Sequence, residues 1–216
     1  MGQLQIGIKG GYDYFLFINS DISSSTHYNY QNNGYLIGFT IKQMSVHKFN
    51  LAAELNYTHR SFAVKSSSGG LGGSQNMNFN YTIGNITFQF QPQFSFGTKV
   101  KFFFYPGVYF GTLLHSSLKG TLYTFQMGYP GISKTDTIND NAKGYYPDFS
   151  FGFLFGFGIE VPINSIFKFI YENNITMNLV PVSSGWTSYN DKMVNINCEV
   201  GLAYTLGKNH SISPGK

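Results

Sequence analysis

Residues 148–160 read Asp-Phe-Ser-Phe-Gly-Phe-Leu-Phe-Gly-Phe-Gly-Ile-Glu. Phe149, Phe151, Phe153, Phe155, Phe157 and Ile159 take every second position, with Asp148, Ser150, Gly152, Leu154, Gly156, Gly158 and Glu160 between them. Side chains of a strand alternate between its two faces, so this segment has one aromatic stripe and one face of small and polar groups. A helix would scatter the same rings around its whole circumference. The period is that of a strand.

The same alternation recurs along the chain and predicts eight strands, over about 3–18, 34–43, 48–62, 77–91, 99–114, 148–160, 166–178 and 193–207. In the first, Leu4, Ile6, Ile8, Tyr12, Tyr14 and Leu16 oppose Gln3, Gln5, Gly7, Lys9, Gly11 and Asp13. In the last, Val194, Ile196, Cys198, Val200, Leu202, Tyr204 and Leu206 oppose Asn195, Asn197, Glu199, Gly201 and Thr205. The fourth changes phase, from Phe79, Tyr81 and Ile83 to Ile86, Phe88 and Phe90, which predicts an extra residue near Gly84-Asn85 as in a β-bulge. The fifth is apolar on both faces, so its orientation is open. Short connections (44–47, 92–98 and 161–165) alternate with longer ones rich in Ser, Asn and Gly (18–33, 63–76, 115–147 and 179–192). Short periplasmic turns alternating with long extracellular loops are the pattern of outer-membrane barrels.

Composition agrees. Only 11% of the 216 residues are charged while 18% are aromatic, with 22 Phe, 16 Tyr and one Trp. Mean hydropathy is nonetheless −0.12, as expected where each strand has one lipid-facing and one polar side. No run of about 18 apolar residues occurs, which excludes a transmembrane helix. The amino terminus carries no basic region ahead of an apolar core. An outer-membrane precursor is expected to have had such a leader, with a mature terminus near Gln3. The lone Cys198 excludes an internal disulfide, and 13 Lys with one Arg lie scattered rather than in a stripe, which argues against nucleic acid. Cys198 falls on an apolar strand face, as a small buried or lipid-facing thiol.

A soluble lipocalin-like ligand binder would share the period with the faces reversed. Eight strands enclose a narrow interior that side chains must fill. Phe, Tyr, Leu and Ile from six or more strands would overfill it, whereas Gly7, Gly11, Gly38, Gly152, Gly156, Gly158 and Gly201 with their polar neighbours fit. The rings therefore face outward. Glu54, Glu160, Glu172 and Glu199, with Lys9, Lys42, Arg60, Lys101 and Lys168, all fall on the inward face, as the cost of about 2–4 kcal/mol for a basic side chain in mid-bilayer requires. Unpaired buried charges cost several kcal/mol, so a lumen network is expected from Lys9, Glu54, Arg60, Lys168, Glu172 and Glu199. Glu199 should pair with Lys9, and Glu54 or Glu172 with Arg60 or Lys168. A plug holding the barrel shut is expected rather than a gated ion path.

Four segments carry a family resemblance: Ile8-Lys9-Gly10-Gly11, Ala53-Glu54-Leu55-Asn56-Tyr57, Phe104-Tyr105-Pro106-Gly107-Val108-Tyr109-Phe110-Gly111, and Asp148-Phe149-Ser150-Phe151-Gly152 continuing to Gly156 and Gly158. In these the chain resembles the PorT-like outer-membrane β-barrel domains of Bacteroidetes over nearly its whole length. It departs from them at Gly84-Asn85, where such barrels usually place a Pro. The resemblance implies an outer-membrane location; the member that gives the family its name is linked to protein secretion and surface attachment.

Chemistry-bearing motifs are sparse. His115-Ser116-Ser117 puts His115 and Ser117 on one strand face, as a base–nucleophile pair of a lipid A deacylase requires, but no carboxylate can be placed beside them. His27, His47, His59 and His210 are isolated. Asp136-Thr137-Ile138-Asn139-Asp140-Asn141 lacks the spacing of a calcium loop and reads as a solvated loop, and the glycines of 66–74 do not lead from a strand into a helix. Tyr12, Tyr14, Tyr35, Tyr57, Tyr145, Tyr146, Tyr189 and Tyr204 cluster near strand ends as in an aromatic girdle, and Tyr145, Tyr146 and Trp186 could instead stack on carbohydrate. The expectation is an all-β, eight-stranded antiparallel up-and-down transmembrane barrel, one domain over 1–216, monomeric in outer-membrane lipid. Its role would be structural or one of interaction through the long loops, with an accessory part in an envelope or secretion complex as one form of it; a lipid-modifying enzyme is the alternative. No cofactor, metal or catalytic residue is expected.

Overall fold

The computed structural model describes residues 3–18, 29–44, 48–70, 72–127, 131–141, 146–180, 182–183 and 190–206. Ten strands lie among them: β1 (Gln3–Ile18), β2 (Asn29–Met44), β3 (Phe49–Gly70), β4 (Gly73–Phe96), β5 (Lys101–Gln126), β6 (Ile132–Asp140), β7 (Phe149–Pro162), β8 (Phe167–Asn178), β9 (Val182–Ser183) and β10 (Asn190–Leu206). Eight of these, β1, β2, β3, β4, β5, β7, β8 and β10, form an antiparallel ring that closes where β1 pairs with β10 from Leu4↔Leu206 to Ile18↔Lys192. Closure leaves no edge within the bilayer, which a membrane sheet requires because unpaired backbone groups there have no water to bond.

The faces divide as the alternation predicts. Phe151, Phe155 and Val200 are 41%, 55% and 50% exposed on the outside, while Glu54 and Glu199 are 2% and 0% exposed within. Cys198 is on the outer face. In β5, the ambiguous strand, Phe103, Tyr105 and Tyr109 point inward and Phe102, Phe104 and Phe110 outward. The inward rings fit because each faces an inward glycine of β7: Phe103↔Gly158, Tyr105↔Gly156 and Tyr109↔Gly152. A methyl group on any of those three glycines would run into the opposing ring. The glycines of the sixth predicted strand thus make space for the aromatics of the fifth.

Two expectations about strand geometry need correction. The register does shift between Gly84 and Asn85, but the extra residue lies across from them on β5, where Gly84 pairs with His115 and Asn85 with Leu113. In β4 the odd-numbered residues face inward throughout, from Phe79, Tyr81 and Ile83 to Asn85, Gln89, Gln91 and Gln93. What changes at Gly84 is the chemistry of the interior, from apolar above to polar below.

The second correction concerns length. The connection expected over 115–147 contains the upper half of β5 and all of β6, paired from Leu118↔Asp140 to Gln126↔Ile132. Over 63–76, β3 and β4 instead run on to a tight turn at Gly70↔Gly73. Asp136 lies in β6 and pairs with Lys134 at 3.0 Å, so the stretch read as a solvated loop is a strand. Runs of Ser, Thr and Asn at these positions resemble loop composition because the outer face of the extension is solvated, while Phe79, Leu118, Leu122 and Ile138 face the apolar cap. Backbone pairing together with that inward packing maintains the strands there. β3, β4 and β5 have 22, 24 and 26 residues against 14 and 12 in β7 and β8, so one side of the barrel rises well past the other.

Candidate functional site

The interior is the most elaborated part of the molecule, and its polar side chains fall into levels. Nearest the termini, Lys42 is bonded to Glu160, which Lys168 approaches at 3.4 Å while also donating to Gln5 Oε1 at 3.3 Å. Phe103 underlies Lys42, whose Nζ is 5.1 Å from the ring centroid, a cation–π contact. Above them Lys9 Nζ donates to Glu54 Oε1 at 2.6 Å and Glu172 Oε2 at 2.9 Å and lies 3.2 Å from Glu199 Oε2. The Tyr105 hydroxyl donates to the other oxygen of Glu172. Asn174 donates to Glu199 at 2.6 Å and accepts from Asn197 at 2.8 Å. Along β4 the glutamines link in series, Gln93 to Gln91 at 3.1 Å and Gln91 to Gln89 at 2.9 Å.

Higher still, Arg60 holds Asp13 through Nε and Nη2 and stacks over Phe15 at 5.8 Å. Phe15, Phe62, Phe79, Tyr81, Ile83, Leu118, Tyr146 and Met193 then cap the lumen with an apolar cluster. Tyr146 is therefore neither girdle nor sugar platform: it is buried, with its hydroxyl 3.6 Å from Met193 Sδ. Burial, only partly offset by Arg60, pushes its phenol above the ordinary value. Tyr145, Trp186, Tyr189, His27, His47 and His210 lie outside the described residues.

The structure brings together Lys9, Glu54, Glu172 and Glu199 but places Arg60 and Lys168 elsewhere. Pairing of Glu54 or Glu172 with Arg60 or Lys168 is overturned, because those bases stand at different heights and meet Asp13 and Glu160 instead. Asp13, Lys42, Glu160 and Tyr105 are network members that the sequence reading did not select. Every one of them has inward parity except that Tyr105 lay on a strand whose orientation was open.

One cavity of about 20 Å³ interrupts the packing between the two upper polar levels. Asn56, Asn85, Tyr109, Asn195 and Asn197 line it, and one oxygen of each makes no hydrogen bond to protein atoms. A polar space of that size suits about one water with several partners. A second, larger cavity of about 200 Å³ opens at the end that carries the termini.

Outside, His115 and Ser117 share the outer face, while Ser116 points in and bonds Asn141 at 3.1 Å. Among the described residues no hydrogen bond or ion pair joins His115 to Ser117 or to a carboxylate. His115 instead lies 6.0 Å from His59, which stacks on Tyr35 at 5.0 Å. The register sets Cys198, Tyr12, Tyr35, His59, Gly84 and His115 in one cross-strand row. On β3 to β5 the outer face below that row is mostly Phe, Leu and Ile, and above it on β3 to β6 come Asn80, Lys119, Asn139, Lys65, Asn78, Thr121 and Thr137, all exposed. On β1 and β10, by contrast, Tyr14, Leu16 and Ile196 carry the apolar face past the row. On β3 to β5 the row thus marks the change from an apolar to a polar outer face, where amphipathic rings are favoured.

The model of a family described as outer membrane protein beta-barrel domain matches residues 1–184. Among solved structures, Ail, the attachment invasion locus protein of Yersinia pestis, is 10% identical, with 95% of this chain and 99% of that one covered and a TM-score of 0.41. Neisserial surface protein A is 10% identical, covering 94% and 97%, with a TM-score of 0.44. OprG of Pseudomonas aeruginosa is 13% identical, covering 96% and 97%, again at 0.44. No curated protein matches the chain. With a ringed sheet, rings outward and a family match over most of its length, the chain belongs to the outer-membrane β-barrel domain family and resides in the bacterial outer membrane.

Proposed function

We propose that the barrel is a sealed anchor and that its work is done by the extracellular extension of β3 to β6, as a structural or interaction protein. One observation carries this reading: above the opening at the terminal end the lumen is filled by paired charges, linked amides and an apolar cap, while the sheet outside is prolonged at the cost of exposed backbone pairing. Eight strands leave no channel unless glycine and small residues leave the centre empty. Here side chains occupy it.

The outward face of the extension presents amide, hydroxyl and ammonium groups, Asn78, Asn80, Lys119, Thr121, Lys65 and Thr137, which suit a polar protein surface and not lipid. The four segments shared with PorT-like barrels support a partner within the cell envelope, with this chain as an accessory to a secretion or envelope complex. The single unit over 1–216 acts as a monomer in the membrane. The test is photocrosslinking in intact cells from positions Asn80, Thr121 and Thr137. A discrete adduct with one envelope protein is expected, and the adduct from Asn80 should be lost when residues 121–137 are replaced by a short turn. A folded, surface-exposed protein that yields no adduct from any of the three positions ends the interaction reading. Steady single-channel conductance in planar bilayers would equally end the sealed-anchor reading.

A further inference from the structure

The cavity at the terminal end of the barrel is lined by Lys99, Lys101 and Lys168 together with Thr98, Ser165 and Thr205, and its one carboxylate is Glu160. Glu160 is already held by Lys42 and Lys168. Among the described residues neither Lys99 nor Lys101 has an ion-pair partner, and no second carboxylate lines the cavity. Three lysines therefore line one space with a single acid, itself shared with a fourth. Three lysines against one carboxylate that is already paired, around a volume of about 200 Å³ where one water needs about 10–15 Å³, leave both room and positive charge for an anion.

We infer that this vestibule binds a phosphate group from the periplasmic side. Lysine binds phosphate as a point charge, several lysines match its multiple charge, and hydroxyls supply donors to the remaining oxygens. The site lies where short turns join the strands, at the depth of the inner-leaflet headgroups. Both a phospholipid headgroup and free phosphate meet this description, and the chemistry they share is the phosphate.

The distinguishing experiment uses the full chain folded in zwitterionic micelles and in nanodiscs, read by the backbone amide shifts of residues 98–101 and 160–168. Inorganic phosphate is titrated against chloride at matched ionic strength in the micelles, and phosphatidylglycerol nanodiscs are compared with phosphatidylcholine ones. Saturable shifts with phosphate in micelles show a free-phosphate site; shifts only with phosphatidylglycerol show a headgroup site. In either case the double variant K99Q/K101Q, which spares the Lys42–Glu160–Lys168 set, should bind at least tenfold more weakly while keeping its heat-dependent gel migration. No response to either source, or undiminished binding by the double variant, overturns the inference.

Discussion

At the scale of single residues, Lys9 is the position on which most depends. Its one positive charge faces Glu54, Glu172 and Glu199, all buried. Removing one partner of a buried ion pair leaves an uncompensated charge and costs about 3–5 kcal/mol. Lys9→Met should therefore lose about that much stability, measured by urea titration of the protein folded in vesicles. Combining it with Glu54→Gln and Glu172→Gln should restore part of the loss; an unchanged midpoint for Lys9→Met alone would show that the cluster is not held by that ammonium. Gly156 makes the complementary case for shape. Its missing side chain is what admits the Tyr105 ring, which in turn bonds Glu172. Gly156→Val should cost about 1–3 kcal/mol, as overpacking does. Tyr105→Ala in the same chain should make the valine less harmful than it is alone, and additive effects in that double-mutant cycle would refute direct contact.

Among the elements, β5 and β6 differ most from what their sequence suggests. The upper half of β5 and β6 read as loop because Ser117, Lys119, Thr121, Thr135, Thr137 and Asn139 supply no apolar stripe. A strand solvated on its outer face has nothing for hydrophobic periodicity to detect. The lower strands were legible for the opposite reason, since lipid on one side and a crowded lumen on the other force strict alternation. The ion pairs were legible only in part. Counted from the terminal end of each strand, Lys9 stands six residues above Gln3, Glu54 five above Phe49, Glu172 five above Phe167 and Glu199 seven above Leu206. Asp13 and Arg60 stand ten and eleven above the same starts of β1 and β3, and Lys42, Glu160 and Lys168 within two of their strand ends. Height alone would have sorted the charges, but it needs strand ends that the solvated segments blur. Because Leu122 alone among the described residues of 121–137 packs against the apolar cap, replacing residues 121–137 by a turn should leave the barrel folded. Its urea midpoint should move by less than a few tenths of a molar unit. Collapse of the folded fraction would mean that the hairpin is part of the barrel core.

For the whole molecule, the decisive property is which side of the wall the rings occupy. Phe149, Phe151, Phe153, Phe155 and Phe157 all project from β7 into the surroundings, and the same holds around the ring. Such a surface needs lipid or detergent, so the folded protein should show heat-dependent migration on gels and should precipitate when detergent is withdrawn. Retention of a dispersed monomer in plain buffer would contradict the orientation of the wall. Placing an ammonium there makes the same point locally: Phe155→Lys should destabilise the barrel by about 2–4 kcal/mol if it lies near mid-depth.

The seam between β1 and β10 also fixes a chronology. Residues 4 and 206 must meet before either strand has a complete set of backbone bonds. Lys9 belongs to the first strand, and its acidic neighbours to the third, eighth and tenth. Charge neutralisation in the middle of the protein is thus deferred until nearly the entire polypeptide has been delivered. Contacts of such long sequence separation form slowly. An unfinished chain would present an ammonium and two open strand borders to its environment, which is a reason for assembly to finish in a single closing event.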